Sequence, residues 1–207
     1  MEYYAKPKAI APVFITYLVS ILRECNLNNN ELDGFDRDLL IATHEAGHAV
    51  VCHVLGYNFI SITIEPNELI GSDGAFIRSP LTEAKECGRL SKEGQKGWMC
   101  DKIKITLAGG LAVYQLTNNR NIAGMTPDLN SAWSLARMLV KDEAKATELN
   151  TALSAQTIDL LKNQRNWAAI VSLSNELIKR RTIMYEDAVK IINKALFDFE
   201  FDTARIR

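Results

Sequence analysis

The chain of 207 residues is poor in the features that mark a disulfide scaffold, a membrane protein or a nucleic-acid binder. Its four cysteines (Cys25, Cys52, Cys87 and Cys100) are scattered and form no CxxC pair. That argues against a disulfide framework and fits reduced thiols in a cytoplasmic protein. The net charge of −1 gives neither nucleic acid nor an acidic membrane surface anything to recognise. There is no phosphate-binding glycine-lysine loop, hence no recognisable route to ATP hydrolysis. Long apolar runs are missing too. Ala9–Leu22, which follows Lys6 and Lys8, has 14 residues, too few to span a bilayer, and shows no small-residue cleavage site. It reads as a buried helix or docking segment; a peripheral membrane contact through residues 9–22 is the other reading. No internal repeat or low-complexity segment is present.

Hydrophobic residues at 47% and charged residues at 24% are ordinary for a globular chain. The length suits one domain with a sizeable core and a short extension. Histidine is also scarce, and what little there is carries the chemistry. Of the three histidines, two fall four apart in His44-Glu45-Ala46-Gly47-His48. On an α-helix, residues i and i+4 share a face, so both imidazoles can reach one metal ion. Glu45 lies about 100° round from His44, near enough to meet a water at the metal without ligating it. This is the arrangement of a zinc peptidase.

Asp36 or Asp38 can cap the helix that carries the motif, and Gly56 is a natural stop. Leu40, His44, Gly47, His48, Val51 and Leu55 form one stripe at helical spacing, which turns both histidines inward. Core histidines satisfied by hydrogen bonds are the plainer reading. Two adjacent buried imidazoles, however, need partners on four nitrogens, and a metal accounts for one on each ring. His53 lies about 180° from His44 and is excluded as a ligand. Cys52, about 80° from His44, reads as packing.

A catalytic zinc takes three protein ligands and keeps a position for water. With no histidine left, the third must be a carboxylate or thiolate. Asp128, in Gly124-Met125-Thr126-Pro127-Asp128-Leu129, is the best candidate. Thr126 reads as an N-cap and Pro127 as the first helical residue. Spacing alone leaves two roles for Asp128: metal ligand, or complement to the helix dipole.

Around these residues the chain reads as mainly α (α+β). Asn26–Gly34 is a polar linker between the N-terminal segment and the motif helix. Ile60, Ile62 and Ile64 alternate with polar residues as a strand over 60–65. Ser72-Asp73-Gly74 is a turn, and Ala75–Ile77 returns as a second strand beside the motif helix. That hairpin either covers the helices or offers an edge to an extended substrate. Asp101–Thr117 reads as a buried helix with Ile103, Leu107, Gly110 and Tyr114 on one face, and Gly109-Gly110 permits close packing on the motif helix. Leu153 to Phe197 reads as two or three amphipathic helices, with Trp167, Ile170, Leu173, Leu177 and Ile178 in the core. Glu176 and Glu186 read as solvated charges. The boundaries expected are an extension over 1–35 and a single domain over 36–207.

Three stretches, in order, resemble the peptidase domain of the FtsH-type AAA metalloproteases. They are His44-Glu45-Ala46-Gly47-His48-Ala49 with the strand Ile60–Pro66, then Ile105–Ala112 with its paired glycine, then Ala123–Leu129 with Ala132 and Ala136–Val140 downstream. A weaker likeness extends the match to residues 36–197. Leu81–Trp98 matches poorly, and Met125-Thr126-Pro127 departs from the family's loop before the aspartate. The resemblance implies that Asp128 is the third zinc ligand, that His44 and His48 are the others, and that Glu45 is the general base. It implies a zinc-dependent endopeptidase acting on unfolded or flexible polypeptide, and a homo-oligomer. The family's transmembrane segment and ATPase domain are not found here, so the expectation is a domain fed by already unfolded segments, a separate ATPase partner or one particular target. The rival expectation is a non-catalytic zinc-containing binding or regulatory module on the same fold. Glu45 and a ligand count of three both speak against it.

Overall fold

Asp36 starts the first helix. Its backbone is extended (φ −60°, ψ 133°) and its side chain accepts a hydrogen bond from the Asp38 amide at 3.1 Å, so Asp36 is the cap and Asp38 sits in the first turn. Helix α1 (Arg37–Val54) ends on Leu55. Gly56 follows in the left-handed region at φ 84°; its amide donates to the His53 carbonyl and the Tyr57 amide to the Cys52 carbonyl. This is a Schellman stop, which only glycine adopts without strain.

The computed structural model describes residues 36–67, 72–79, 82–83, 87–117 and 125–205, with side chains to 198. The apolar segment over 9–22, the linker over 26–34 and the boundary of the extension over 1–35 lie outside the described residues. Within them the architecture is mainly α with one small sheet. After α1 come β1 (Ser61–Thr63), β2 (Ala75–Ile77), α2 (Lys92–Thr117), α3 (Thr126–Val140), α4 (Glu143–Lys162), α5 (Gln164–Arg180), β3 (Thr182–Met184) and α6 (Tyr185–Arg205). No helix among the described residues is long and apolar enough to cross a membrane.

α1 is central. It packs against α2 on one side and α5 on another, with the sheet across a third. Its residues from Ala42 to Cys52, His44 apart, are therefore buried all round rather than along a single stripe. Alanines at 42, 46 and 49 let the neighbouring helices come close. The expected strand over 60–65 is three residues long, and the hairpin it forms with β2 is antiparallel, with Ser61 opposite Ile77 and Thr63 opposite Ala75. A third strand was not anticipated: β3 pairs with the other side of β1, giving the order β2-β1-β3. The bonds Ile64 N–H to Arg181 O and Tyr185 N–H to Ile60 O, both 2.9 Å, extend that pairing beyond each end. Ile62 and Ile183 point into the core.

Two helix starts differ from expectation. α2 begins at Lys92, not Asp101, because Gly94 and Gly97 hide the periodicity of its first turns without breaking the helix. α3 is preceded by Met125, which offers no capping side chain, and Thr126 is already helical rather than the cap. Downstream, Asp142 caps α4 and Asn163 caps α5, each accepting a backbone N–H. α4, α5 and α6 are the amphipathic C-terminal helices, and they begin earlier than Leu153. Ile170, Leu173 and Leu177 are fully buried, with Trp167 and Ile178 packed at the margin of the core.

Candidate metal centre

His44 and His48 stand one turn apart on α1, and Asp128 enters from the first turn of α3. The His44 and His48 Nε2 atoms are 3.1 Å apart. Asp128 Oδ2 lies 3.1 Å from the first and 3.3 Å from the second. Each residue offers one ligand atom, and all three lie within 4.8 Å of one another. No other such group of His, Cys, Asp or Glu occurs among the described residues. His53 points elsewhere and bonds Asn193 Oδ1 at 2.9 Å, while Cys52 packs with its thiol toward the Asn58 carbonyl. Glu176 pairs with Lys179 and Arg180 at the surface, and Glu186 is exposed.

The surroundings fix the donor atoms. The His48 Nδ1 hydrogen is donated to the Ile105 carbonyl of α2 at 2.7 Å, which leaves the Nε2 lone pair facing the centre. The Phe76 ring of β2 stacks on the His48 ring at 5.6 Å, and the two imidazoles meet edge to face at 4.7 Å. Beneath them passes the α2 backbone at Gly109. A Cβ there would come within 2.4 Å of His48 Nε2 and 2.8 Å of His44 Cδ2, so the centre rests on bare glycine backbone. The hairpin comes equally near Glu45: a Cβ on Gly74 would lie 3.0 Å from its Oε1.

The electrostatics ask for a cation. Asp128 Oδ2 is buried without a hydrogen bond of acceptable geometry. Burial alone would push the Asp128 carboxyl up, yet the two imidazoles beside it hold it well below the usual carboxylate range. Burial would pull His48 down; the Asp128 carboxylate close beside its Nε2 outweighs that, with help from Glu45 and the Ile105 carbonyl, and pushes it up to about 9. Positive charge is thus favoured between three atoms that are all metal donors, one of them otherwise orphaned. The donor set of two imidazole nitrogens and a carboxylate oxygen suits zinc or a similar divalent ion. The residues present fit the ion.

Glu45, 6% exposed, is raised by burial, with the His48 and His44 charges opposing and Asp128 adding to the rise. It lines the same cleft as the three ligands, a cavity of about 800 Å³ between α1, α2, the start of α3 and the hairpin. Sequence reasoning missed Phe76 and the Ile105 carbonyl as supports of His48. Neither carries a local signal, since each meets the histidine only through the fold. No family model matches the chain, and no curated protein matches it.

Proposed function

We propose that this chain is a zinc-dependent metallopeptidase that hydrolyses peptide bonds in unfolded or flexible polypeptide, with a site similar to that of the FtsH-type peptidase domains. The convergence of His44, His48 and Asp128 within 4.8 Å, with a buried glutamate beside them in one cleft, carries the reading. When bound there, a zinc ion supplies Lewis acidity, lowering the pKa of a water and polarising a carbonyl. The chain's own residues do the rest. Glu45, with its proton affinity raised by burial, accepts the proton of the attacking water as the oxygen adds to the scissile carbonyl carbon. It then delivers that proton to the amide nitrogen as the C–N bond breaks, leaving a carboxylic acid and an amine. Ile105 and Phe76 hold the His48 ring in place throughout.

A cleft bordered by a short sheet suits an extended chain, which can pair with a strand edge, better than a folded surface. β3 occupies one side of β1, so the hairpin edge that borders the cleft is that of β2. Polypeptide substrate, a separate ATPase partner to deliver it, and assembly into a homo-oligomer belong to the same proposal.

The decisive test is cleavage of a permanently unfolded protein by the zinc-loaded chain, with Glu45→Gln run beside it. Wild-type cleavage is expected, with a loss of at least about 100-fold in the variant while zinc stays bound. Equal activity in both would end the assignment of Glu45. Zinc bound without cleavage by either would favour the non-catalytic binding module.

A further inference from the structure

The hairpin meets α1 in order along one face of that helix. Arg37 Nη2 pairs with Asp73 Oδ1 at 2.6 Å, Ile41 and Glu45 both face Gly74, and the His48 ring stacks on Phe76. Arg37, Ile41, Glu45 and His48 follow one another at helical spacing, so the contacts form a continuous seam. Of the three hairpin residues in it, only the one opposite Glu45 lacks a side chain. We propose that Gly74 is a positioning residue for Glu45: its bare backbone is the wall that sets where the proton acceptor of the hydrolytic reaction stands beside the metal centre. The proposal rests on the peptidase reading above.

Backbone conformation does not demand glycine at this position. Among the described residues Gly56 is the one glycine with a left-handed φ, so the chain at Gly74 could carry a side chain as far as its dihedrals are concerned. Space forbids it. A Cβ would lie 2.7 Å from Ile41 Cγ2, 2.9 Å from the Thr63 carbonyl oxygen and 3.0 Å from Glu45 Oε1.

These neighbours yield unequally. Thr63 belongs to the central strand, paired with Ala75 on one side and Thr182 on the other, so its carbonyl is held. Ile41 packs against the core, and a β-branched side chain on a helix has one strongly preferred χ1 rotamer. The Glu45 carboxylate ends a flexible side chain that reaches the open cavity, and it can swing. With the hairpin pinned at Asp73 and at Phe76, a methyl group on residue 74 therefore moves the carboxylate first. A misplacement of about 1 Å at a reacting group costs about 100-fold in rate.

The test compares Gly74→Ala with the wild type in zinc affinity, in kcat and KM on a flexible peptide, and in binding of acetohydroxamic acid to the zinc-loaded chain. A hydroxamic acid binds a metal as its anion and gives its proton to a base beside the ion, so Glu45→Gln should weaken it about tenfold. Gly74→Ala is expected to keep zinc affinity within about twofold, to lower kcat by about 10- to 100-fold with KM nearly unchanged, and to weaken the hydroxamate about tenfold. On top of Glu45→Gln the same methyl should cost nothing further in either assay, because the group it displaces no longer takes a proton. Arg37→Ala, which frees the hairpin tip without adding a group beside Glu45, should keep wild-type values. Should Gly74→Ala fold poorly, pairing it with Ile41→Leu drops the methyl that the new Cβ would meet first, and Ile41→Leu alone serves as the reference. Zinc lost along with activity would mean that the hairpin has lifted and taken Phe76 from His48, which overturns the positioning role. Full kcat in Gly74→Ala, or a loss that adds undiminished to that of Glu45→Gln, overturns it too. Hydroxamate binding separates the two proposals. No cleavage by the wild type, with hydroxamate binding weakened by Gly74→Ala and by Glu45→Gln but no further by both, keeps the role of Gly74 and sinks the peptidase. Cleavage at the full rate by Gly74→Ala does the reverse.

Discussion

Three glycines around the candidate metal centre have nearly the same sequence signal and different physical duties. A methyl group on Gly109 would meet His48 Nε2 at 2.4 Å and Cε1 at 2.7 Å. That ring has little room to move, because Ile105 holds its Nδ1 and Phe76 covers its face. A methyl group on Gly47 would instead meet the Ala108 carbonyl and the Ala112 side chain, both at 2.8 Å, wedging α1 from α2. On Gly110 it would meet the Met125 side chain, which bends more readily. Gly109→Ala should therefore keep its helical circular dichroism and lose metal affinity by about 10- to 100-fold, the equivalent of about 1–3 kcal/mol of overpacking placed on the ligands. Gly47→Ala should lose stability by a similar amount. Isothermal titration with zinc, beside urea unfolding of each variant, checks both; full zinc affinity in Gly109→Ala would show that the centre does not rest on that backbone.

At the scale of elements, what the sequence made legible is what repeats locally. His44 and His48 announce themselves because one helix carries both, and the α2 face through Ile103, Leu107, Gly110 and Tyr114 shows its period plainly. Asp128 sits in the first turn of its helix, where an aspartate has two good reasons to be; the fold carries its carboxylate to the α1 histidines. β3 was not legible at all. Thr182-Ile183-Met184 is too short for alternation to register, and it pairs with residues some 120 positions away. What holds it is Arg181. Its guanidinium bonds Asp38 in the first turn of α1, Glu65 at 2.8 Å and the Ile64 carbonyl at 3.2 Å, while its own carbonyl accepts from the Ile64 amide. It does so at φ 63° and ψ −39°, a conformation that costs any residue but glycine. Side chain and backbone therefore pull in opposite directions. Arg181→Ala should lower Tm, and Arg181→Gly, which loses the same ion pairs but relieves the backbone, should recover roughly 2–4 °C of that loss. An alanine variant at least as stable as the glycine one would mean the strain is not felt.

For the whole molecule, a metal ion bound between His44, His48 and Asp128 would compete with a proton for the same place. α1 lies at the centre of the core, so whatever sits between His44, His48 and Asp128 couples the sheet, α2 and α3 to it. Without metal, His48 is raised to about 9 by Asp128. A raised histidine contributes stability that is fully present below its unfolded value, about 6.5, and is lost as pH rises through the folded value. The metal-free chain should thus lose Tm steadily between about pH 6.5 and 9. A divalent ion must displace that proton to bind Nε2, so its apparent affinity runs the other way and grows over the same window. Zinc at about a thousandfold excess over its dissociation constant adds about 4 kcal/mol, or roughly 10 °C for a chain of this size. The difference in Tm between zinc-loaded and chelator-treated protein should accordingly widen from about pH 6.5 to 9, because the metal-free protein loses stability while the zinc-saturated one stays nearly level. Thermal unfolding at half-unit pH steps, with and without chelator, measures it directly. A difference that stays constant across the window would mean that no shared proton is displaced, and that the ion binds somewhere other than between these three side chains.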